Sequence, residues 1–150
     1  MTQKNANNTD KTTILTFGTF DHFHPGHEYY LAEAYKKAPD PKQLIVIIAR
    51  DQTVEKVKGF KPTDNEKIRQ ENVANNSFVT TAILGDLDDP YAILSQIKPD
   101  LICLGYDQSA FITDLPQKLQ ELNLNPQIIR IAAHHPEKYK SSIIKNKNNN

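Results

Sequence analysis

The chain has 150 residues, with 18 Lys plus Arg against 18 Asp plus Glu, and a single cysteine. One domain with a real core is expected at this length, the zero net charge argues against a nucleic-acid surface, and one cysteine excludes an internal disulfide and points to a reducing compartment. With no secretory signal and no apolar run of membrane length, a soluble, cytoplasmic protein without membrane partners is expected.

Residues 1–10 and 146–150 are polar and rich in asparagine and read as disordered tails, which leaves one domain over 11–145. Within it, apolar runs alternate with helical patterns, the arrangement of parallel βαβ units. The expected fold class is α/β, a Rossmann-like, doubly wound, five-stranded parallel sheet. The first strand spans about Thr12–Phe17 and is closed by Gly18. Pro25 suits the first position of a helix, and the pattern from Pro25 to Ala38 carries Leu31, Ala34, Tyr35 and Ala38 on one stripe. The second strand is Gln43–Ala49, continuously apolar over Leu44–Ile48 as when both faces are covered.

A basic loop, Arg50–Lys61, follows, with Arg50, Lys56, Lys58 and Lys61 interrupted by Asp51 and Glu55. It reads equally as a solvated face or as a mobile clamp on phosphate. Thr63-Asp64-Asn65-Glu66 has the form of a capping box. The third strand is Phe78–Leu84. Asp89-Pro90 opens a helix with Tyr91, Leu94 and Ile97 or Ile93 inward, and Lys98-Pro99 stops it. The fourth strand is Leu101–Leu104, with Cys103 as a small buried hydrophobe. A helix over Thr113–Leu122, a fifth strand over Gln127–Ala132 and a last helix from near Ser141 complete the chain. Gly18, Gly26, Gly59, Gly85 and Gly105 all fall on the carboxyl edge of this sheet. Ligands bind at that edge in open parallel sheets, although turns alone also call for glycine.

The chemistry centres on Thr16–His27. His24 stands just before the first helix and His27 in its first turn, so the two can point the same way. The free amides and dipole of a helix amino terminus attract an anion. Two imidazoles there can donate hydrogen bonds to phosphoryl oxygens, which gain charge as phosphorus is attacked. His22, His24 and His27 also offer three nitrogens to zinc, but paired cysteines and an HExxH pattern are lacking, and no metal ligands are expected from the protein.

Gly18-Thr19-Phe20-Asp21-x-x-His24-x-Gly26-His27 resembles the signature of the HxGH nucleotidyltransferases, the cytidylyltransferase-like superfamily, and the resemblance runs from about Thr13 to Lys145. Ala49-Arg50-Asp51-x-Thr53-Val54-x-Lys56-x-Lys58-Gly59 and the stretch Lys98–Gln108 are most similar to archaeal-type FAD synthases, which are FMN adenylyltransferases. Glycerol-3-phosphate cytidylyltransferases come next.

The resemblance implies that His24 and His27 are catalytic. It places Gly18, Thr19, Phe20, Asp21 and Gly26 in a nucleotide-binding turn. It implies a phosphate-contacting lysine in the basic loop, for which Lys56 (catalytic) and Lys58 (nucleotide-binding) are the candidates. Glu66-x-x-Arg69 resembles the family's acid–arginine pair, with Arg69 on phosphate or pinning the loop; an exposed helix pair is the alternative. Gly105, Tyr106, Asp107 and Gln108 would form the turn that holds ribose and base, with Tyr106 stacking on a ring. Ser141 and Ser142 would meet phosphates at a helix start. The chain departs from the pattern after the fifth strand, where Lys138 or Lys140 stands in for an arginine and lacks its bidentate fork; His134-His135 there reads as loop.

The implied reaction is in-line attack of an FMN phosphate oxygen on the α-phosphorus of ATP, giving FAD and pyrophosphate, with Mg²⁺ carried on the nucleotide phosphates. ATP and CTP both remain open as the nucleotide. The alternatives are CTP with glycerol 3-phosphate, and a non-catalytic nucleotide-binding module. A class I aminoacyl-tRNA synthetase fragment fits poorly with the short, neutral chain. The resemblance also implies a homodimer, and FMN supplied by another enzyme because no riboflavin kinase segment is visible.

Overall fold

The computed structural model describes residues 11–105 and 113–132. Tyr106, Asp107, Gln108, Ser141, Ser142, the helix expected near Ser141 and both tails lie outside the described residues. Five strands form one sheet: β1 (Thr12–Gly18), β2 (Lys42–Ile48), β3 (Thr81–Leu84), β4 (Leu101–Gly105) and β5 (Gln127–Ile131). Their order is β3-β2-β1-β4-β5, and every pair is parallel. Five helices lie between them: α1 (Pro25–Tyr35), α2 (Asp51–Lys58), α3 (Glu66–Ala74), α4 (Ala92–Ile97) and α5 (Leu115–Glu121). The fold is the expected α/β class, with β1 at the centre.

Side chains alternate across a strand, so each strand feeds two cores. On one face Ile14, Leu44, Val46, Ile48 and Cys103 meet Leu31 and Ala34 of α1 and Val73 of α3. On the other, Leu15, Phe17, Ile47, Ile102 and Leu104 meet Leu94 of α4 and Leu115 and Leu119 of α5. With α1 and α3 on one face and α4 and α5 on the other, the direction of winding reverses at β1. The gap between β1 and β4 is therefore the topological switch point, where ligands bind in such sheets.

One polar group is buried in the first core. The Cys103 carbonyl oxygen lies 2.8 Å from Thr16 Oγ1 and 3.0 Å from Tyr30 OH and accepts from one of the two hydroxyls at a time. The two hydroxyls also hydrogen-bond each other. This satisfied cluster ties α1 to β1 and β4. Burial pushes the Cys103 thiol up to about 11, as befits an inert core cysteine.

Several boundaries differ from the sequence expectation. Gly18 and Gly105 belong to their strands, whereas Ala49 and Ala132 lie past theirs. β3 starts at Thr81 rather than Phe78, because Asn76 holds Phe78 and Val79 in a turn with its side chain and carbonyl. α1 ends at Tyr35, although Ala38 beyond it is still buried. α5 is shorter than Thr113–Leu122 at both ends. The expected basic loop is mostly helix, α2, ended by Gly59 at φ 88°, a left-handed position that glycine takes without a Cβ clash. The Thr63 capping box does not form: Asn65 is the N-cap of α3, its Oδ1 accepting from Ile68 N at 2.9 Å. Asp89 closes a turn before α4, taking the Tyr91 amide on its side chain and the Ala92 amide on its carbonyl, so that helix begins at Ala92 and not at Pro90. Among the described residues, no helix is long and apolar enough to cross a membrane.

Candidate active site

The histidines sit where β1 gives way to α1. His24 is the N-cap, with extended backbone, and Pro25 opens the helix. His24 Nδ1 accepts the Gly26 amide at 3.0 Å, and the His24 amide donates to His27 Nδ1 at 3.3 Å. The two side chains thus build a reciprocal capping box, a motif usually made with hydroxyls and carboxylates. Their rings stack, with centroids 3.9 Å apart and 22° between planes.

This arrangement fixes chemistry as well as structure. Each Nδ1 accepts a backbone N–H, so in the neutral ring the proton must lie on Nε2. Among the described residues no hydrogen bond from either Nε2–H is found, which leaves two donors for a ligand. Burial, then the neighbouring His24, take His27 down to about 4 against a weak opposing pull from Asp21. Burial and the charge of His22 lower His24 as well. Both rings are therefore neutral donors at pH 7.

A pH dependence of stability follows. The unfolded chain protonates His27 near 6.5, whereas the folded chain resists until about 4. Between these values the unfolded state binds more protons, so stability is full above pH 6.5 and falls as pH drops toward 4. Partial exposure discounts the effect to on the order of 2 kcal/mol. Denaturant titrations from pH 7.5 to 4 should show this loss, and His27→Gln should flatten it.

The loop before α1 holds the rings from behind. Phe20 and His22 have φ of 56° and 51°, a left-handed conformation that is unfavourable for residues with a Cβ. Phe20 is only 5% exposed. Its ring folds over Gly18 so closely that a Cβ there would lie 2.5 Å from Phe20 Cε2, which is why glycine ends β1. Phe20 meets His27 edge-on at 5.3 Å between centroids, and Phe23 stacks on His27 at 5.4 Å. The Phe20 ring belongs to the core beneath the histidine turn, which leaves its backbone for the expected contact with nucleotide.

Asp21 and Arg69 are likewise committed to protein. The Asp21 carboxylate accepts the amides of Thr63 and Asp64 at 2.8 and 2.9 Å, and Asp64 Oδ2 accepts the His22 amide at 3.3 Å. Burial alone raises the Asp21 carboxyl, but the two amides, His22 and Arg69 together hold it below its ordinary value. Arg69 is fully buried. Its Nε donates to the Asp64 carbonyl at 2.9 Å, Nη1 to the Thr19 carbonyl at 2.9 Å and Nη2 to Asp51 Oδ1 at 2.6 Å. These three contacts tie the start of α2 and the segment before α3 to the histidine turn.

Glu66 does not pair with Arg69. It accepts Arg50 Nε at 3.1 Å and the Asp51 amide at 2.8 Å, while Asp51 Oδ2 accepts the Glu66 amide at 3.2 Å. The first residues of α2 and α3 thus cap each other. Arg50 also donates to the Gly85 carbonyl at 3.1 Å, so its charge is spent within the protein.

Thr19 enters through its carbonyl, and Gly26 through its amide. Gly105 ends β4 on the other side of the switch point. Lys56 and Lys58 are exposed on α2. A cavity of about 400 Å³ opens past the ends of β2 and β3, lined by Arg50, Gln52, Glu55, Lys61 and Leu87 among others, and neither imidazole lines it. Sequence reasoning missed Asp51, Asp64, Thr16 and Tyr30. Their partners lie 14 to 87 residues away in the chain, and no local pattern marks them.

A doubly wound sheet with paired imidazole donors at a helix amino terminus, beside the switch point, defines a nucleotidyltransferase-type α/β domain. The chain belongs to the cytidylyltransferase-like family, whose model matches residues 15–147. It is 40% identical over 124 residues to the FAD synthase of Methanohalophilus mahii, covering 83% of this chain and 84% of that protein. With the FAD synthase of Picrophilus torridus it shares 39% over 132 residues, 88% and 92% of the two chains. Among solved structures it is similar to a lipopolysaccharide core biosynthesis protein from Thermoplasma volcanium, with TM-score 0.75 and 33% identity over 83% of this chain and 99% of that one.

Proposed function

We propose that the protein is an FMN adenylyltransferase, which joins ATP and FMN to give FAD and pyrophosphate. The observation that carries this is the stacked His24–His27 pair with both protons on Nε2, together with the similarity to FAD synthases over most of the chain. An FMN phosphate oxygen forms the new bond to the α-phosphorus as the bond to the leaving pyrophosphate breaks. The two Nε2–H groups meet the oxygens of that α-phosphoryl group, where charge builds in the transition state. Because the rings are neutral, they stabilise by directed hydrogen bonding and need no proton transfer. No side chain becomes covalently linked, and positioning supplies the remainder.

Lys56 and Lys58 on α2 carry the positive charge that receives the outgoing phosphates. Gly105 and the residues Tyr106, Asp107 and Gln108 take the ribose and base, and Ser141 and Ser142 close on phosphate. A divalent cation such as Mg²⁺, brought in with the nucleotide, would supply charge neutralisation at the phosphates. Both Asp21 oxygens accept backbone amides.

The test is pyrophosphate release with FMN plus ATP, FMN plus CTP, and glycerol 3-phosphate plus CTP, with FAD identified by chromatography. FMN plus ATP should exceed the other pairs by at least about 10²-fold, the discrimination expected where hydrogen-bonding groups of a site are left unpaired by the wrong substrate. Faster turnover with glycerol 3-phosphate and CTP, or ATP binding without pyrophosphate release from any pair, would replace this reading.

A further inference from the structure

We propose that Arg69 is a positioning residue for nucleotidyl transfer, setting the imidazole pair against the lysine-bearing helix α2. The role rests on the transferase reading above. Arg69 is wholly buried, and each of its three donor contacts goes to a different segment at the carboxyl edge of the sheet. Nη1 holds the Thr19 carbonyl, one residue before Phe20. Phe20 is the residue whose left-handed backbone turns its ring edge-on to His27. Nη2 holds Asp51, the first residue of α2, which seven residues on carries Lys58. Nε holds the Asp64 carbonyl, and the Asp64 side chain in turn takes the amide of His22.

A residue that only filled the core would be apolar, since burying a guanidinium is costly unless every donor finds a partner. Here the partners are the backbone of the histidine turn and the start of the basic helix. The rigid fork of arginine spans all three at fixed spacing, which the single point charge of lysine cannot do. Asp51 extends the link, because its second oxygen caps α3 while Glu66 of α3 takes the Asp51 amide. The two phosphate-facing arms are therefore referenced to one buried cation.

The test is Arg69→Lys, which keeps the charge and loses the fork. With the fold intact by circular dichroism, kcat for FAD formation should fall about 10- to 100-fold, the scale of a 1 Å misplacement. KM for ATP should change far less, and the His27 ring signals in histidine-labelled NMR spectra of the free protein should move. A folded variant with wild-type kcat and unmoved ring signals would overturn the proposal, and so would a loss confined to KM. Should Arg69→Lys fail to fold, Asp51→Asn gives the second reading: it keeps Oδ1 for Arg69, discharges the pair and gives up the bond from the Glu66 amide, and the same outcomes decide. The NMR arm needs no turnover. Wild-type protein that makes no FAD, yet whose His27 signals move in the variant, would sink the FMN assignment and leave the positioning role standing.

Discussion

His24→Ala should lower kcat for FAD formation about 10²-fold or more, the effect of removing one preorganised donor to a developing oxyanion. The same change strips the N-cap of α1, since His24 Nδ1 is the acceptor for the Gly26 amide. Loss of a cap costs about 1 kcal/mol, so a modest fall in stability accompanies the fall in rate. His24→Asn separates the two. Asparagine is a good N-cap and should restore most of the stability, but it places no Nε2–H beside His27, so turnover stays low. Steady-state kinetics with urea denaturation of the three proteins measures both quantities. Turnover of His24→Ala within a few-fold of wild type would remove the imidazole pair from the reaction.

The second large effect concerns stability. Phe20→Ala should destabilise the fold by about 3–5 kcal/mol, the range for deleting a buried phenyl ring. Phe20 packs in the first core and against Phe23, His27 and Tyr30. Its left-handed backbone is held only because burying the ring outweighs the conformational cost, and alanine keeps that cost without the gain. Turnover should fall too, because His27 loses an edge contact that fixes its plane. Phe20→Leu should recover much of the stability and less of the activity. A urea midpoint for Phe20→Ala equal to that of wild type would show that the ring is not part of the core.

How much was legible depended on whether the signal was local. The apolar runs of β1, β2 and β4 and the stripe on α1 declare themselves, because burial on two faces demands them. The histidine turn was legible for the same reason: the strand end, the glycine, the proline and both imidazoles fall within twelve residues. α2 was not, because only Val54 among its eight residues is buried and charge dominates the rest. The burial of the Phe20 ring is not legible, because its neighbours Thr19 and Asp21 read as ligand-facing and a positive φ leaves no mark in sequence. Asp21 and Arg69 were found as important positions, but their partners 42 and 50 residues away decide what they do. The Glu66-x-x-Arg69 spacing suggested a pair, whereas each residue binds a member of the Arg50-Asp51 dipeptide instead.

The hydroxyls of Thr16 and Tyr30 share one carbonyl, that of Cys103, less than two helical turns beyond the histidines. That bolt ties the histidine-bearing helix α1 to the two central strands of the sheet. α2 is held near its start, by Val54 and by the caps at its first residue, and its last four residues are exposed. In amide exchange the middle of α1, beside Tyr30, should open more slowly than the exposed far end of α2.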